Sequence, residues 1–212
     1  MPLPKELLYL IEGYKEFKER YFDQRLSPYR ILVQGQAPKI MTIACSDSRV
    51  DPAILLNTQP GEMFVVRNVA NLVPPYEADQ THHGVSAALE FGITRLGVKH
   101  VIILGHSHCG GIASLFATDN THTDFIKPWM ALVEPAKKHI LENHTHDGTE
   151  NQIDLCSQKA LTISLKNLQT FPWIQSRLET GDLRIHGWYF DLEHGLLKAY
   201  DEDSETFEEF KV

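Results

Sequence analysis

The sequence predicts an α/β fold: a mainly parallel central β-sheet flanked by helices, with an N-terminal helical arm. Short apolar runs recur at residues 39–44, 62–67, 100–104 and 183–190, and the run at 101–104 is a β-branched stretch broken by Gly105, as in strands buried inside a parallel sheet. Segments with helical spacing separate the runs, which gives the β-α-β alternation of a sheet covered by helices. Two of the runs end in loops rich in Cys, His and Asp, where open α/β sheets place ligands.

Each element has its own warrant. Residues 4–25 mix charges with apolar residues at helical spacing ahead of any strand, so they form an arm that lies either on a partner subunit or on its own domain. Residues 39–44 are the first strand, and Pro52 opens a helical turn. Pro60-Gly61 turns the chain into the second strand at 62–67. Residues 68–76 contain Pro74-Pro75 and read as loop, since proline has no place in a central strand. Residues 81–96 carry Val85, Leu89 and Ile93 at helical spacing, with Gly97 as a stop. The third strand, at 100–104, precedes a helix opening at Ile112 and running to 118. From 123 to about 178 the chain is mostly helical, interrupted near 144–148 and at Pro172. A later strand at 183–190 pairs with 195–200. The acidic tail (Asp201, Glu202, Asp203, Glu205, Glu208, Glu209) reads as a solvated end. No repeat or change of composition divides the chain, so residues 1–212 are expected to be one domain, with 1–30 as its arm.

Composition narrows the function. Hydrophobic residues make up 42% of the 212 and charged ones 23%, which are ordinary globular values. The formal charge of −8 argues against nucleic acid or an anionic membrane as partner, because both need a basic face. No apolar run approaches the ~20 residues of a membrane span. The N-terminal Leu7–Ile11 stretch is flanked by Glu6 and Glu12, unlike a signal peptide. Three cysteines, an odd number, suit a reducing compartment. The cytoplasm is the expected location, or an organelle where a transit peptide has been removed.

The chemistry gathers in Cys45-Ser-Asp-Ser-Arg49 and Gly105-His-Ser-His-Cys-Gly-Gly111. Two thiolates and an imidazole, from Cys45, His106 and Cys109, select zinc over the oxygen-seeking calcium and magnesium. His108 is the poorer ligand, because it adjoins Cys109 and neighbouring side chains diverge on a turn. Three protein ligands leave a fourth position: water there makes the site catalytic, and a protein group closes it. Cys156 or Asp47 could close it. Arg49, two residues beyond Asp47, could instead hold that carboxylate in a bidentate pair and leave the position to water. Two thiolates cancel the charge of zinc, so a fixed acid is needed to orient a weakly activated hydroxide. His82-His83 could move protons but suit a surface helix start. Other readings of the same cluster are a non-catalytic structural-zinc protein and a redox dithiol. The last is weakest, since Cys45 and Cys109 form no Cys-x-x-Cys pair.

Together these two segments resemble the paired zinc signatures of the β-class carbonic anhydrases. Residues 60–76 are similar to the connecting segment of the plant-like branch, and residues 186–191 to the strand near its end. The resemblance implies one zinc per chain on Cys45, His106 and Cys109, with Asp47 and Arg49 as the catalytic dyad. It also implies reversible hydration of carbon dioxide to bicarbonate by attack of zinc-bound hydroxide, a lyase activity, with hydrolysis of carbonyl sulfide or carbon disulfide on the same scaffold as the alternative. Gln36 matches a bicarbonate donor, while Phe64, Val69 and Gly110 match positions lining a narrow substrate pocket. Phe91 stands where a pocket tyrosine is common. The resemblance further implies a homodimer or dimer of dimers, with helical arms embracing the partner and the pocket at the interface. A subset of the family has a regulatory bicarbonate pocket of Trp, Arg and Tyr. Here Arg67 is accompanied by Thr42 and Phe190, so that switch is expected to be lacking.

Overall fold

A computed structural model of the chain describes residues 4–23, 27–79, 81–117 and 124–210. Helix α1 (Lys5–Tyr21) and the short α2 (Tyr29–Leu32) precede β1 (Ile40–Cys45). Then come α3 (Pro52–Leu55), β2 (Met63–Asn68), α4 (Gly84–Glu90), β3 (His100–His106) and α5 (Gly110–Phe116). Helices α6 (Ile126–Met130), α7 (Glu134–Asn143), α8 (Thr149–Leu168) and α9 (Pro172–Glu179) lead to β4 (Arg184–Asp191), β5 (Leu196–Asp201) and β6 (Thr206–Glu209). The expected arm reaches Tyr21; its end at Arg25, together with residues 118 and 123, lies outside the described residues.

The strands form one sheet in the order β2-β1-β3-β4-β5-β6. The first three pairings are parallel and the last two antiparallel. Because β1 and β3 are adjacent and parallel, with Ala44 opposite Leu104, their C-terminal ends open onto the same edge of the sheet.

One face of the sheet is closed by α8. Its Ser157, Ala160, Leu161, Ser164, Leu165 and Leu168 are buried, a three-and-four spacing that puts them on one stripe. Leu161 and Leu165 pack with Met41, Ile43, Val101 and Ile103, each leucine contributing about 1.5–3 kcal/mol by leaving water. The helix comes so close that a Cβ on Gly187 would lie 2.6 Å from Leu161 and 2.9 Å from Leu165. Hence β4 carries a glycine at its centre.

Two expectations need correcting. The helix foreseen at 81–96 begins at Gly84. Upstream, the Asp79 carboxylate accepts from the backbone N–H and hydroxyl of Thr81 and pairs with His83 at 2.6 Å. Such local side-chain bonds compete with helix. Beyond Glu90 the chain widens into one π turn, Phe91–Arg95, and Arg177 of α9 donates to the Ile93 carbonyl at 2.7 Å. The second correction concerns the tail, which is a strand. Residues 206–209 pair antiparallel with β5, and Phe207 packs on Tyr189 and Tyr200 while the carboxylates stay in solvent. Among the described residues no helix is long and apolar enough to cross a membrane.

Candidate metal centre

Cys45 is the last residue of β1 and His106 the last of β3, so strand pairing alone brings them side by side. Cys109 follows after a tight turn in which His108 takes φ 54°, and it immediately precedes α5. The two sulfurs are 4.0 Å apart, and the ligand atoms of Cys45, His106 and Cys109 all lie within 4.8 Å of one another. All three residues are buried.

His106 shows what the cluster is for. Its Nδ1 lies 2.8 Å from the Ser107 carbonyl, which only accepts, so Nδ1 carries the proton. Nε2 is therefore a bare lone pair. It is buried and has no hydrogen-bond partner, a state that ordinarily costs about 1–3 kcal/mol. A cation between Nε2 and the two sulfurs satisfies it, and the donor set of two sulfurs and one nitrogen suits zinc.

Asp47 stands beside this cluster, its Oδ2 4.0 Å from His106 Nε2. Arg49 holds it away: the backbone N–H and Nε both donate to Oδ1, at 3.0 and 2.9 Å, and Nη2 donates to Oδ2 at 2.7 Å. The same Nη2 also donates to the His108 carbonyl at 3.1 Å, tying the two loops together. A carboxylate has about four acceptor positions. Three are filled by Arg49, and the remaining one is on Oδ2, the oxygen nearest the cluster.

Electrostatics agrees with this geometry. The Arg49 hydrogen bonds hold the Asp47 carboxyl well below the usual carboxylate range, so it accepts a hydrogen bond but is too weak a base to keep a proton. A hydrogen bond from Cys109 is the main influence that draws Cys45 down to about 4, while Cys109 itself is pushed up by sharing its proton and by burial. Without a metal the pair thus holds a single proton. A cation arriving at pH 7 should displace one proton from the cysteines. Calorimetry of zinc binding in buffers of different ionisation enthalpy reads this number; release of two protons would contradict the shared-proton pair.

Several supporting groups carry no motif. Arg67 of β2 donates to the carbonyls of Cys45 and Asp47 and pairs with Asp51 at 2.9 Å. The other Asp51 oxygen caps α3 through Ala53 and Ile54. Asp154 of α8 accepts from the His108 N–H at 2.7 Å and steadies the strained turn. Arg67 stands out in the sequence as a charge ending an apolar run, but nothing in the sequence marks Asp154.

The remaining candidates divide. Val69 and Gly110 border the cluster: Val69 follows Asn68, which pairs with Cys45, and Gly110 follows Cys109. Phe64 is level with Met41, four residues or about 13 Å back along the sheet. Phe91, 47% exposed, packs on Phe64 with ring centres 5.9 Å apart. Exposed Gln36 precedes β1, at the opposite end of the sheet from Cys45. These three do not approach the cluster of their own chain. Cys156 lies outside the cluster in apolar packing, where burial pushes its thiol up to about 12. His83 is spent on Asp79, and His82 is exposed. Thr42 is buried and Phe190 half-buried.

Residues 40–197 match a family described as carbonic anhydrase. The chain is 38% identical over 194 residues to the carbonic anhydrase of Synechocystis sp., spanning 91% of this chain and 70% of that protein. It is 38% identical over 204 residues to beta carbonic anhydrase 3 of Arabidopsis thaliana, spanning 94% and 79%. Among solved structures, the β-carbonic anhydrase CcaA superposes with a TM-score of 0.91 at 36% identity, over 99% of this chain and 94% of that one. A β-carbonic anhydrase from Sordaria macrospora, one of two described as tetrameric, gives 0.83 at 27% identity, over 92% and 97%.

Proposed function

We propose, from the premise that this chain belongs to the β-class carbonic anhydrases, that it interconverts carbon dioxide and bicarbonate at a zinc ion held by Cys45, His106 and Cys109. The observation that carries the reading is the bare, buried Nε2 of His106 facing two sulfurs, beside a carboxylate held at a distance. Zinc bound there supplies Lewis acidity that makes water a nucleophile near neutral pH.

The chain's own residues do the rest. Arg49 keeps Asp47 ionised and clear of the ligand atoms. Asp47 uses its free Oδ2 position to accept a hydrogen bond from the attacking water, which turns the water's lone pair toward carbon dioxide. Since Asp47 is too acidic to retain the proton, the proton passes on to buffer. Val69 and Gly110 stand at the rim as substrate contacts.

Gln36, Phe64 and Phe91 fit this reading through a second copy of the chain. Helix α1 has no buried residue, although Leu7, Leu8, Leu10 and Ile11 are each at least 41% exposed. A helix with such an apolar surface suits packing on a partner, and the Sordaria relatives are tetrameric. We read the molecule as a homo-oligomer in which one chain's Gln36, Phe64 and Phe91 face the other's metal centre. Three unpaired, buried cysteines support a reducing compartment such as the cytoplasm.

Metal analysis combined with stopped-flow hydration tests the proposal. The expected result is about one zinc per chain, carbon dioxide turned over faster than carbonyl sulfide, and a scattering mass of a dimer or a multiple of it. Zinc-loaded protein without hydratase activity between pH 6 and 9 would sink it.

A further inference from the structure

Between β2 and the metal centre the chain makes one 3-10 turn, Val69–Asn71, which the mechanism leaves unexplained. Ala70 and Asn71 both have left-handed backbones, φ 63° and 49°, without being glycine, at about 1–2 kcal/mol each. Asn68 braces the turn from inside: its side chain donates to the Leu72 carbonyl and accepts from the Leu72 N–H, at 2.9 and 2.8 Å. The turn presses on α5, so that a Cβ on Gly111 would meet Val69 at 2.8 Å and Ala70 at 3.1 Å. From the other side, the indole N–H of Trp129 in α6 donates to the Val69 carbonyl at 2.8 Å, across 60 residues of sequence.

The N–H of the same peptide, on Ala70, is one of the backbone donors that draw the Cys45 thiol down. We propose that Trp129 is a positioning residue for the metal centre, acting through the Val69–Ala70 peptide: its indole fixes the carbonyl of that unit in a turn that begins beside Cys45, at its strand partner Asn68, and presses on α5 directly behind Cys109. A peptide unit is rigid and planar, so fixing its oxygen fixes its N–H. The relaxed alternative is a flip of this one peptide, which returns Ala70 to negative φ. It also turns a carbonyl oxygen toward a thiolate, exchanging attraction for repulsion. Trp129 opposes the flip, and by bonding the oxygen it polarises the N–H and strengthens its bond to sulfur. The sulfur then donates less charge to a bound cation, which stays the stronger Lewis acid. Trp129 also packs beside Cys109, Ala70 and Met130, so an experiment must separate its N–H from its bulk.

The inference rests on the metal-centre reading above. Two variants test it: Trp129→Phe, and site-specific replacement of Trp129 by benzothienylalanine, which keeps the shape and lacks only the N–H. Each is loaded with cobalt(II) for absorption spectroscopy and titrated with zinc against a chelator. The thiolate-to-cobalt charge-transfer band should move to longer wavelength, because a sulfur relieved of its hydrogen bond gives up an electron more readily. Zinc should nonetheless bind about ten- to a hundredfold more weakly, because the turn behind the ligands is no longer held and the loss of preorganisation outweighs the better donor, as when outer partners of metal ligands are lost. An unmoved band in folded benzothienylalanine protein overturns the inference, even if affinity falls, since packing alone would then explain the loss. Should Trp129→Phe not fold, the isosteric variant decides. A wild-type protein with no thiolate-to-cobalt band at all would instead remove the metal-centre reading, and the inference with it.

Discussion

Replacing His106 by alanine should remove both the metal and the activity. The side chain supplies the only nitrogen of the cluster, and the two sulfurs 4.0 Å apart cannot alone hold a tetrahedral ion with useful affinity. Zinc content should fall to near zero. Hydration should fall to the uncatalysed rate, a loss of about six orders of magnitude at the modest end of enzymatic accelerations. Stability gives a second readout. In wild-type protein, zinc at a thousandfold excess over its dissociation constant adds about 4 kcal/mol, whereas His106→Ala should gain nothing from added zinc. Without metal the variant should unfold at a somewhat lower temperature, because the cavity left by a fully buried ring and the lost Nδ1–Ser107 hydrogen bond outweigh the relief of the unpartnered Nε2. A variant that keeps one zinc per chain and hydrates carbon dioxide would refute the assignment.

Arg49→Leu should separate binding from catalysis. All three ligands remain, so zinc content should be unchanged. What is lost is the clamp on Asp47, whose Oδ2 sits 4.0 Å from His106 Nε2 and is restrained by Arg49 alone among its hydrogen-bond donors. Freed, the carboxylate swings onto the cation and occupies the position needed by water. Misplacement of about 1 Å in a reacting group costs about a hundredfold, and kcat/KM by stopped flow should drop by at least that. Near wild-type turnover would show that the clamp is not required. The pH behaviour has a definite sign. The Asp47 pKa is depressed, so the ion pair is intact above the ordinary aspartate value of about 3.9. It is lost only as pH falls through the lower folded value. Any slope in wild-type rate between pH 6 and 9 therefore originates elsewhere.

The main strands and the strand ends that carry the candidate site were legible because their signals are local. An apolar run ending in Cys45 and another ending in His106 specify both a strand and where it stops, and parallel pairing makes the two stops coincide. The choice of His106 over His108 was legible for the same reason: the left-handed turn at His108 directs it away. Other features depend on contacts far apart in sequence. Asp154 meets His108 across 46 residues and Trp129 meets Val69 across 60. Neither partner differs in type from an ordinary helix residue. The start of α4 was misplaced because hydrophobic spacing says nothing about the side-chain bonds from Asp79 to Thr81 and His83, which compete with helix there. The tail was misread because its charges outnumber its one informative residue, Phe207, whose burial depends on Tyr189 and Tyr200 already being in place. Gln36, Phe64 and Phe91 are the reverse case, since sequence likeness named them while the strand register sets Phe64 four residues back from the Cys45 end of the sheet and Gln36 lies ahead of β1.

The outermost strand, β6, has a further consequence. Among the described residues no strand pairs with its outer rim, which carries Glu208 and Glu209, with Glu205 in the turn before it, all in solvent. An uncovered strand is a template on which another molecule's backbone could zip, but at neutral pH the like charges repel any copy that approaches. Acidification into the carboxylate range discharges this guard, and concentrated protein should then clump through its rims while each molecule is still folded.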